Sequence, residues 1–403
     1  MRARAGACAL VLALAACKKP APRPPVPVDF DVALDAREDC LHHAVALAKV
    51  AGGVLVFGAC GHINEGDRGE EIQGVRLDAE GHATTIEPVD VLDTGWATNL
   101  VAAPIVNGGA LVAWTAAVDR KATVHVAPVD EQGHPAGEQA ELGPGRVAGL
   151  VAGPKGAALA LIGAPDSLSD EDPGAGTELS IVIVDADGAQ VARASVSRRL
   201  EAARPQVGLA SDAQGYALVW SETGVLTATR TDTSGAVGAR GAVVPDPTTL
   251  GLPAGARFHS PALALDARGT GATIVALVDV PGAANEIWRG EGTIGAPERE
   301  WRWKRVLGAG RYASLALDHG WIAFADSTAG SEFPAIRVLA LDHDSAARPA
   351  IEAAVLLDGP VALTTSGDAA IVAGAEPPHA GTINGLRVVQ RGLAAAKPVA
   401  PRN

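Results

Sequence analysis

Val207-Gly-Leu-Ala-Ser-Asp212-Ala-Gln-Gly215-Tyr-Ala-Leu-Val-Trp220 reads as two apolar strands joined by a tight turn. Asp starts such a turn by bonding its own backbone, and Gly ends it. The glycine that opens the second strand recurs at Gly53, Gly109, Gly156, Gly215, Gly271, Gly320 and Gly367, at spacings of 56, 47, 59, 56, 49 and 47 residues. An apolar run follows each time, as in Val54-Leu-Val-Phe57, Ala110-Leu-Val-Ala-Trp114 and Trp321-Ile-Ala-Phe324. The strand before the glycine also repeats, since Val45-Ala-Leu47-Ala and Val361-Ala-Leu363 match Val207-Gly-Leu209-Ala.

A third alternating strand in each unit runs into an Asp-x-x-Gly turn: Asp78 to Gly81, Asp130 to Gly133, Asp185 to Gly188 and Asp232 to Gly235. The later units carry decayed copies, with Gly292 and Gly295 in the fifth, Asp342 in the sixth and Gly392 in the seventh. A weaker fourth strand follows. Four short strands repeated at roughly 50 residues are the signature of a β-propeller. The expected fold is all-β, a propeller of seven four-stranded blades, with six to eight blades compatible with the spacing. Tandem β-sandwiches are the competing arrangement, but a sandwich does not repeat every four strands. One segment is ambiguous. Residues 35–52 have an Asp35 N-cap, Glu38 and helical apolar spacing, yet the match of Val45 to Ala48 with other units favours a strand from about His43.

The chain has 403 residues, 48% apolar and 20% charged, with a net charge of −13. That composition is too apolar for disorder through the bulk of the chain. The acidic balance argues against nucleic acid as a partner, because phosphate binding needs a concentrated positive face. The loops joining second to third strands lie together on one face of a propeller. They are residues 58–71, 115–121, 163–178, 221–224, 278–286, 325–334 and 375–382, and their charges sum to −13, the charge of the whole chain. The expected binding surface is therefore this acidic face, and the expected partner is a protein or glycan of cationic character. The candidate residues are Asp166, Asp170, Glu171 and Asp172 on one loop and Glu65, Asp67, Glu70 and Glu71 on another. Calcium takes six to eight oxygens, mostly carboxylate and carbonyl, so Asp166, Asp170 and Asp172 are the Ca²⁺ candidates, with no other cofactor predicted.

Cys40-Leu-His42-His43 and Cys60-Gly-His62 form a Cys/His cluster. The expected state is a Cys40–Cys60 disulfide, with a zinc or copper site as the other reading. Counting from the turn at 51–53 puts Cys60 nearest His43, so the strand ends would have to curl for a bond to form. Arg299-Glu-Trp301-Arg-Trp303-Lys-Arg305 puts both tryptophans on one strand face, packed on the next blade, with a protein or membrane contact as the other reading. No Gly-x-Ser-x-Gly, His-Glu-x-x-His or phosphate loop is present. The alternative function is a propeller glycan hydrolase or lyase using loop carboxylates. Sugar sites usually need aromatic platforms, and with Tyr216 and Tyr312 the only tyrosines the non-enzyme reading is favoured.

At the N-terminus, Arg2 and Arg4 precede an apolar run from Ala5 to Ala16 that ends in Leu14-Ala15-Ala16-Cys17. This layout is that of a signal peptide. Its last four residues resemble the lipobox of bacterial lipoproteins. The resemblance implies a signal peptide at 1–16, cleavage before Cys17 and lipidation of its thiol. A tether follows over residues 17–30, with five prolines between Lys18 and Val28. Polyproline II at about 3.1 Å per residue would hold the folded part roughly 30 Å from the bilayer. The propeller is expected over 31–400. The 12-residue apolar run is too short to span a bilayer, so the membrane is a partner through the lipid. The combined expectation is a lipid-anchored binding or assembly platform of the cell envelope, at the periplasmic face, outer membrane or cell surface.

Overall fold

The computed structural model describes residues 30–34, 40–62, 70–89, 96–106, 108–118, 121–154, 156–163, 178–198, 200, 206–222, 224–266, 268–328, 334–342, 348–352, 361–366, 368–375 and 386–392. They form seven four-stranded antiparallel sheets, which is the seven-bladed propeller expected from the repeat. Cys17, Asp35 and Glu38 lie outside the described residues. None of the described residues forms a helix long and apolar enough to cross a membrane.

Blades 1 to 6 span residues 40–89, 96–144, 146–197, 207–242, 257–310 and 312–352, each a meander of four consecutive strands. Blade 7 is built from both ends of the described chain. Ala362–Ser366, Ala369–Ala375 and Leu386–Gly392 supply three strands, and Phe30–Leu34 pairs with Leu386–Gly392 as the outermost. This clasp closes the ring by strand pairing. Arg387 reinforces it, donating from Nε to Asp31 Oδ1 at 2.7 Å and from Nη2 to Oδ2 at 2.9 Å. The Arg387 hydrogen bonds outweigh burial and hold the Asp31 carboxyl below its usual range. The stabilisation is therefore present above the unfolded carboxylate pKa and is lost as pH falls through the folded one.

The first strand of each blade lines the axis. Cys40–Val50 is a strand throughout, so the helical reading of this segment does not hold. Its alternation explains why. Val45 and Leu47 pack against blade 7, whereas Ala46 and Ala48 pack against blade 2. The same division recurs in blades 4 and 6. Leu209 packs toward blade 3 and Ala210 toward blade 5, while Leu317 packs toward blade 5 and Ala316 toward blade 7. Gly208 shows how tight the junction is, since a Cβ there would lie 2.9 Å from the Leu263 backbone nitrogen.

The recurring glycine has a second steric cause. At Gly53, Gly109, Gly156 and Gly215 a Cβ would fall 2.0–2.1 Å from the carbonyl oxygen of Leu77, Val129, Val184 and Thr231 respectively. That carbonyl belongs in each case to the residue just before the turn aspartate of the third strand. The aspartates work as the sequence suggested. Asp78, Asp130, Asp185 and Asp232 each accept backbone N–H groups from two and four residues on through Oδ1. Each turn glycine then abuts the preceding blade, Gly133 against Leu55, Gly188 against Val126 and Gly235 against Ile183.

These contacts make a comparison. Gly53→Ala drives a methyl into the Leu77 carbonyl, and the strain should cost about 2 kcal/mol. Gly241→Ala meets nothing within 4 Å and should be nearly neutral. Thermal melts of the two variants should show a several-degree drop for Gly53→Ala alone. Equal melting temperatures would remove the steric account of the repeat.

Candidate functional site

The loops between second and third strands, and the entry to each inner strand, lie at one end of the ring, here the upper end. The glycine and aspartate turns lie at the lower end. Two cavities follow the axis between them. One, of about 190 Å³, is walled by apolar residues such as Val45, Leu100, Val207, Pro261, Leu315 and Val361. The other, of about 380 Å³, has Lys49, Pro104, Ser211, Asp318, His319 and Thr365 on its wall. Leu47, Ala102, Leu150, Leu209, Leu263, Leu317 and Leu363 line both, one residue from each inner strand. They form an apolar waist. Such a waist suits an apolar group.

Much of the predicted acidic surface lies where strand pairing has not been described. Asp166, Asp170, Glu171 and Asp172 fall between Gly163, where the second strand of blade 3 ends, and Glu178, where the third begins. They are outside the described residues, as are Glu65 and Asp67. The strand ends fix that both segments depart from and return to the upper end. Other acids assigned to loops stand on strands instead. Glu70 and Glu71 belong to Glu70–Asp78, with Glu71 opposite Cys60. Asp279 and Asp326 end second strands, and Glu286 lies within a third strand. The strands run longer than the repeat suggested because cross-strand pairing continues past the apolar run. Once on strands, these acids acquire partners. Glu286 is buried, accepts the Trp288 indole N–H at 2.8 Å and pairs with Arg305 at 3.2 Å. Asp326 pairs with Arg337 at 2.6 Å. Part of the acidity counted over the loops thus stands on strands beside basic partners.

The cysteine register also needs correction. Cys60 lies opposite His42, because His43 is taken up by a bulge between His42 and Ala44. Cys40 lies opposite His62. The two cysteines are thus diagonal positions, typically about 7–8 Å apart. Disulfides usually span about 4.4–6.8 Å between Cα atoms. The tryptophans of blade 5 pack on the preceding blade. Trp301 is buried there, and Trp303 donates its indole N–H to the Val243 carbonyl at 2.8 Å.

One polar group at the lower mouth had no sequence signal. Lys49 comes from blade 1, Asp318 and His319 from the turn of blade 6, and Thr365 from blade 7. Thr365 donates to Asp318 Oδ2 at 2.9 Å, across a blade junction. Burial opposes ionisation of Asp318, but bonding to His319 and Thr365 and the charges of His319 and Lys49 leave its carboxyl below the usual range. Hydrogen bonding to Asp318 and the Asp318 charge raise the His319 imidazole, against burial and Lys49. Sequence spacing could not show this group, because its members lie up to 316 residues apart and meet only through ring closure.

Comparisons with known proteins come down to shape. No family model matches the chain, and no curated protein matches it. Among solved structures it is similar to the β-propeller domain of the trilobed protease from Pyrococcus furiosus, at 9% identity and TM-score 0.49 over 90% of this chain and 99% of that one. It is similar to Pyrococcus horikoshii acylaminoacyl peptidase at 11% identity and TM-score 0.47, covering 88% of this chain and 52% of that one. A subtype N11 neuraminidase-like protein of A/flat-faced bat/Peru/033/2010 (H18N11) gives 9% identity and TM-score 0.46 over 93% and 96% of the two chains. The chain thus spans about half of the peptidase. These likenesses assign no chemistry to this chain.

The Asp318–His319 pair has a measurable consequence. A His whose folded pKa is raised contributes stability present below the unfolded value and lost as pH rises through the folded one. Asp318→Asn should therefore lower the His319 pKa in an NMR titration. An unchanged His319 titration would show that the pair is not formed in solution.

Proposed function

We propose that the protein is a lipid-anchored binding platform of the bacterial cell envelope, and that it docks a cationic protein or glycan on the upper face of its propeller. The observation that carries this reading is a division of labour within the ring. The lower end is held by repeated glycine and aspartate turns, and the axis is narrowed by an apolar waist. The acid-rich segments between His62 and Glu70 and between Gly163 and Glu178 connect strands at the upper end instead. Loops on a rigid scaffold are where binding residues concentrate. The anchor rests on the lipobox-like Leu14-Ala15-Ala16-Cys17 and the proline-rich tether.

Two experiments test the two halves separately. Cys17→Ala should abolish lipid labelling and release the protein from membranes; unchanged membrane partitioning would sink the anchor. For the face, Asp166, Asp170, Glu171 and Asp172 are replaced together by Asn or Gln. Stability should stay within about 0.5 kcal/mol, as for exposed loop residues. Binding of an oligolysine peptide, followed by titration at rising salt, should weaken mainly through a slower on-rate. Exposed charges are screened beyond about 8 Å at physiological ionic strength, so the wild-type affinity should fall steeply with salt. If these acids hold calcium instead, Ca²⁺ should raise the melting temperature of the wild type and not of the variant. Retention of oligolysine by the variant at every salt concentration would remove the acidic face from the proposal.

A further inference from the structure

The inner strands stack their axial side chains in rings, because residues two apart along a strand share a face. The six leucines and Ala102 of the waist are the middle ring. Two residues earlier on each inner strand the wall is apolar in all seven blades, from Val45 and Leu100 to Leu315 and Val361. Two residues later the wall is divided. Blades 6, 7 and 1, neighbours around the closed ring, contribute His319, Thr365 and Lys49. Blades 2, 3 and 5 contribute Pro104, Ala152 and Leu265. Ser211 completes this ring from blade 4, but its hydroxyl is spent on the Ala152 carbonyl at 2.5 Å. The axis is therefore apolar through two rings and polar along one arc of the third.

That arc carries a positive charge. Among the described residues, Lys49 is the only lysine or arginine on the wall of the lower cavity, and Asp318 is the only acid. Both oxygens of Asp318 are already engaged. Thr365 donates to Oδ2 at 2.9 Å, and His319 meets Oδ1 through Nδ1. The same contact favours the cationic form of His319, so the Asp318–His319 pair balances itself and the charge of Lys49 is left over. With Nδ1 taken, Nε2 is the His319 nitrogen left to a ligand.

We propose that the axis binds a linear aliphatic monocarboxylate, with its head on Lys49 and His319 and its chain along the leucine waist. Ammonium and imidazolium donors give a carboxylate charge-assisted hydrogen bonds, about twice as strong as neutral ones. The waist and the ring above it gain from an alkyl chain that leaves water. They offer no partner to a second polar group, so a chain that carries one would be disfavoured. From Val45 to Lys49 the wall runs four residue steps, about 13 Å of strand, which suits a chain of medium length. The site rests neither on the lipid anchor nor on the acidic upper face.

The test uses the full chain and three probes: decanoate, decanol with the same tail and no charge, and acetate with the head alone. Calorimetry should show decanoate saturating at one per chain, decanol binding about tenfold more weakly or worse, and acetate giving no measurable heat. Lys49→Gln alters an exposed side chain, so the melting temperature should stay in place. It should lower decanoate affinity about tenfold and leave decanol affinity unchanged. Ala102→Leu adds a seventh leucine to the waist and should weaken decanoate and decanol together. If that variant folds poorly, the Lys49→Gln comparison decides alone. Decanoate uptake that never saturates at one per chain would overturn the site. So would equal affinity for decanol and decanoate, or a decanoate affinity indifferent to Lys49→Gln.

Discussion

Seven sheets converging on one axis leave little room at their inner edges, and this crowding governs much of the sequence. In blades 1, 4, 5, 6 and 7 the inner strand turns a leucine toward the preceding blade and an adjacent alanine toward the next, whereas blade 2 turns Ala102 back toward blade 1 and Val101 toward blade 3. Leu263 therefore meets Gly208, Leu209 approaches Gly149, and Leu317 packs in the same junction as Ala262. Replacing one of these leucines by Ala would remove contacts from a junction and narrowing at once, and core changes of that kind cost about 2–5 kcal/mol. Enlarging the facing alanine or glycine would be no better, because overpacking also strains a close-packed interior. Alternation of size, and not of polarity, is what lets the ring close around a waist of six leucines and an alanine.

That constraint explains which parts of the fold were legible. The Val-Ala-Leu pattern, the strand-opening glycine and the Asp-x-x-Gly turn are imposed locally, by neighbours within one blade or across one junction. They recur because each junction poses the same steric problem, and they were readable from spacing. The clasp was not. Nothing in Phe-Asp-Val-Ala-Leu at residues 30–34 announces that its partner is Leu386–Gly392, since that pairing is fixed by ring closure. The Lys49, Asp318, His319 and Thr365 group was hidden for the same reason. The cysteine pair was read one residue out of register because a bulge at His43 has no signature in composition.

Charge behaves in two ways in this molecule, and sequence distance does not separate them. Acids on strands are neutralised by partners that the sheet brings alongside, as Arg305 does for Glu286 and Arg337 does for Asp326. Arg289 likewise ties blade 5 to blade 6 through Asp342 at 2.8 Å, while also meeting Glu291 at 2.7 Å within its own blade. These pairs orient junctions and contribute little net stability where they are exposed. Counting charge over presumed loops therefore took in acids that strand pairing sets beside a base.

The two ends of the ring consequently answer to different physics. At the lower end, the carbonyl before each turn aspartate crowds the glycine opposite, and the aspartate locks the turn with two backbone bonds. Few substitutions satisfy both conditions, which leaves those turns little freedom to acquire new chemistry. At the upper end, the connections between second and third strands differ widely in length, from the two residues between Val118 and Lys121 to the fourteen between Gly163 and Glu178. A shared scaffold with connections that vary from blade to blade leaves room there for chemistry that one blade carries and its neighbours do not.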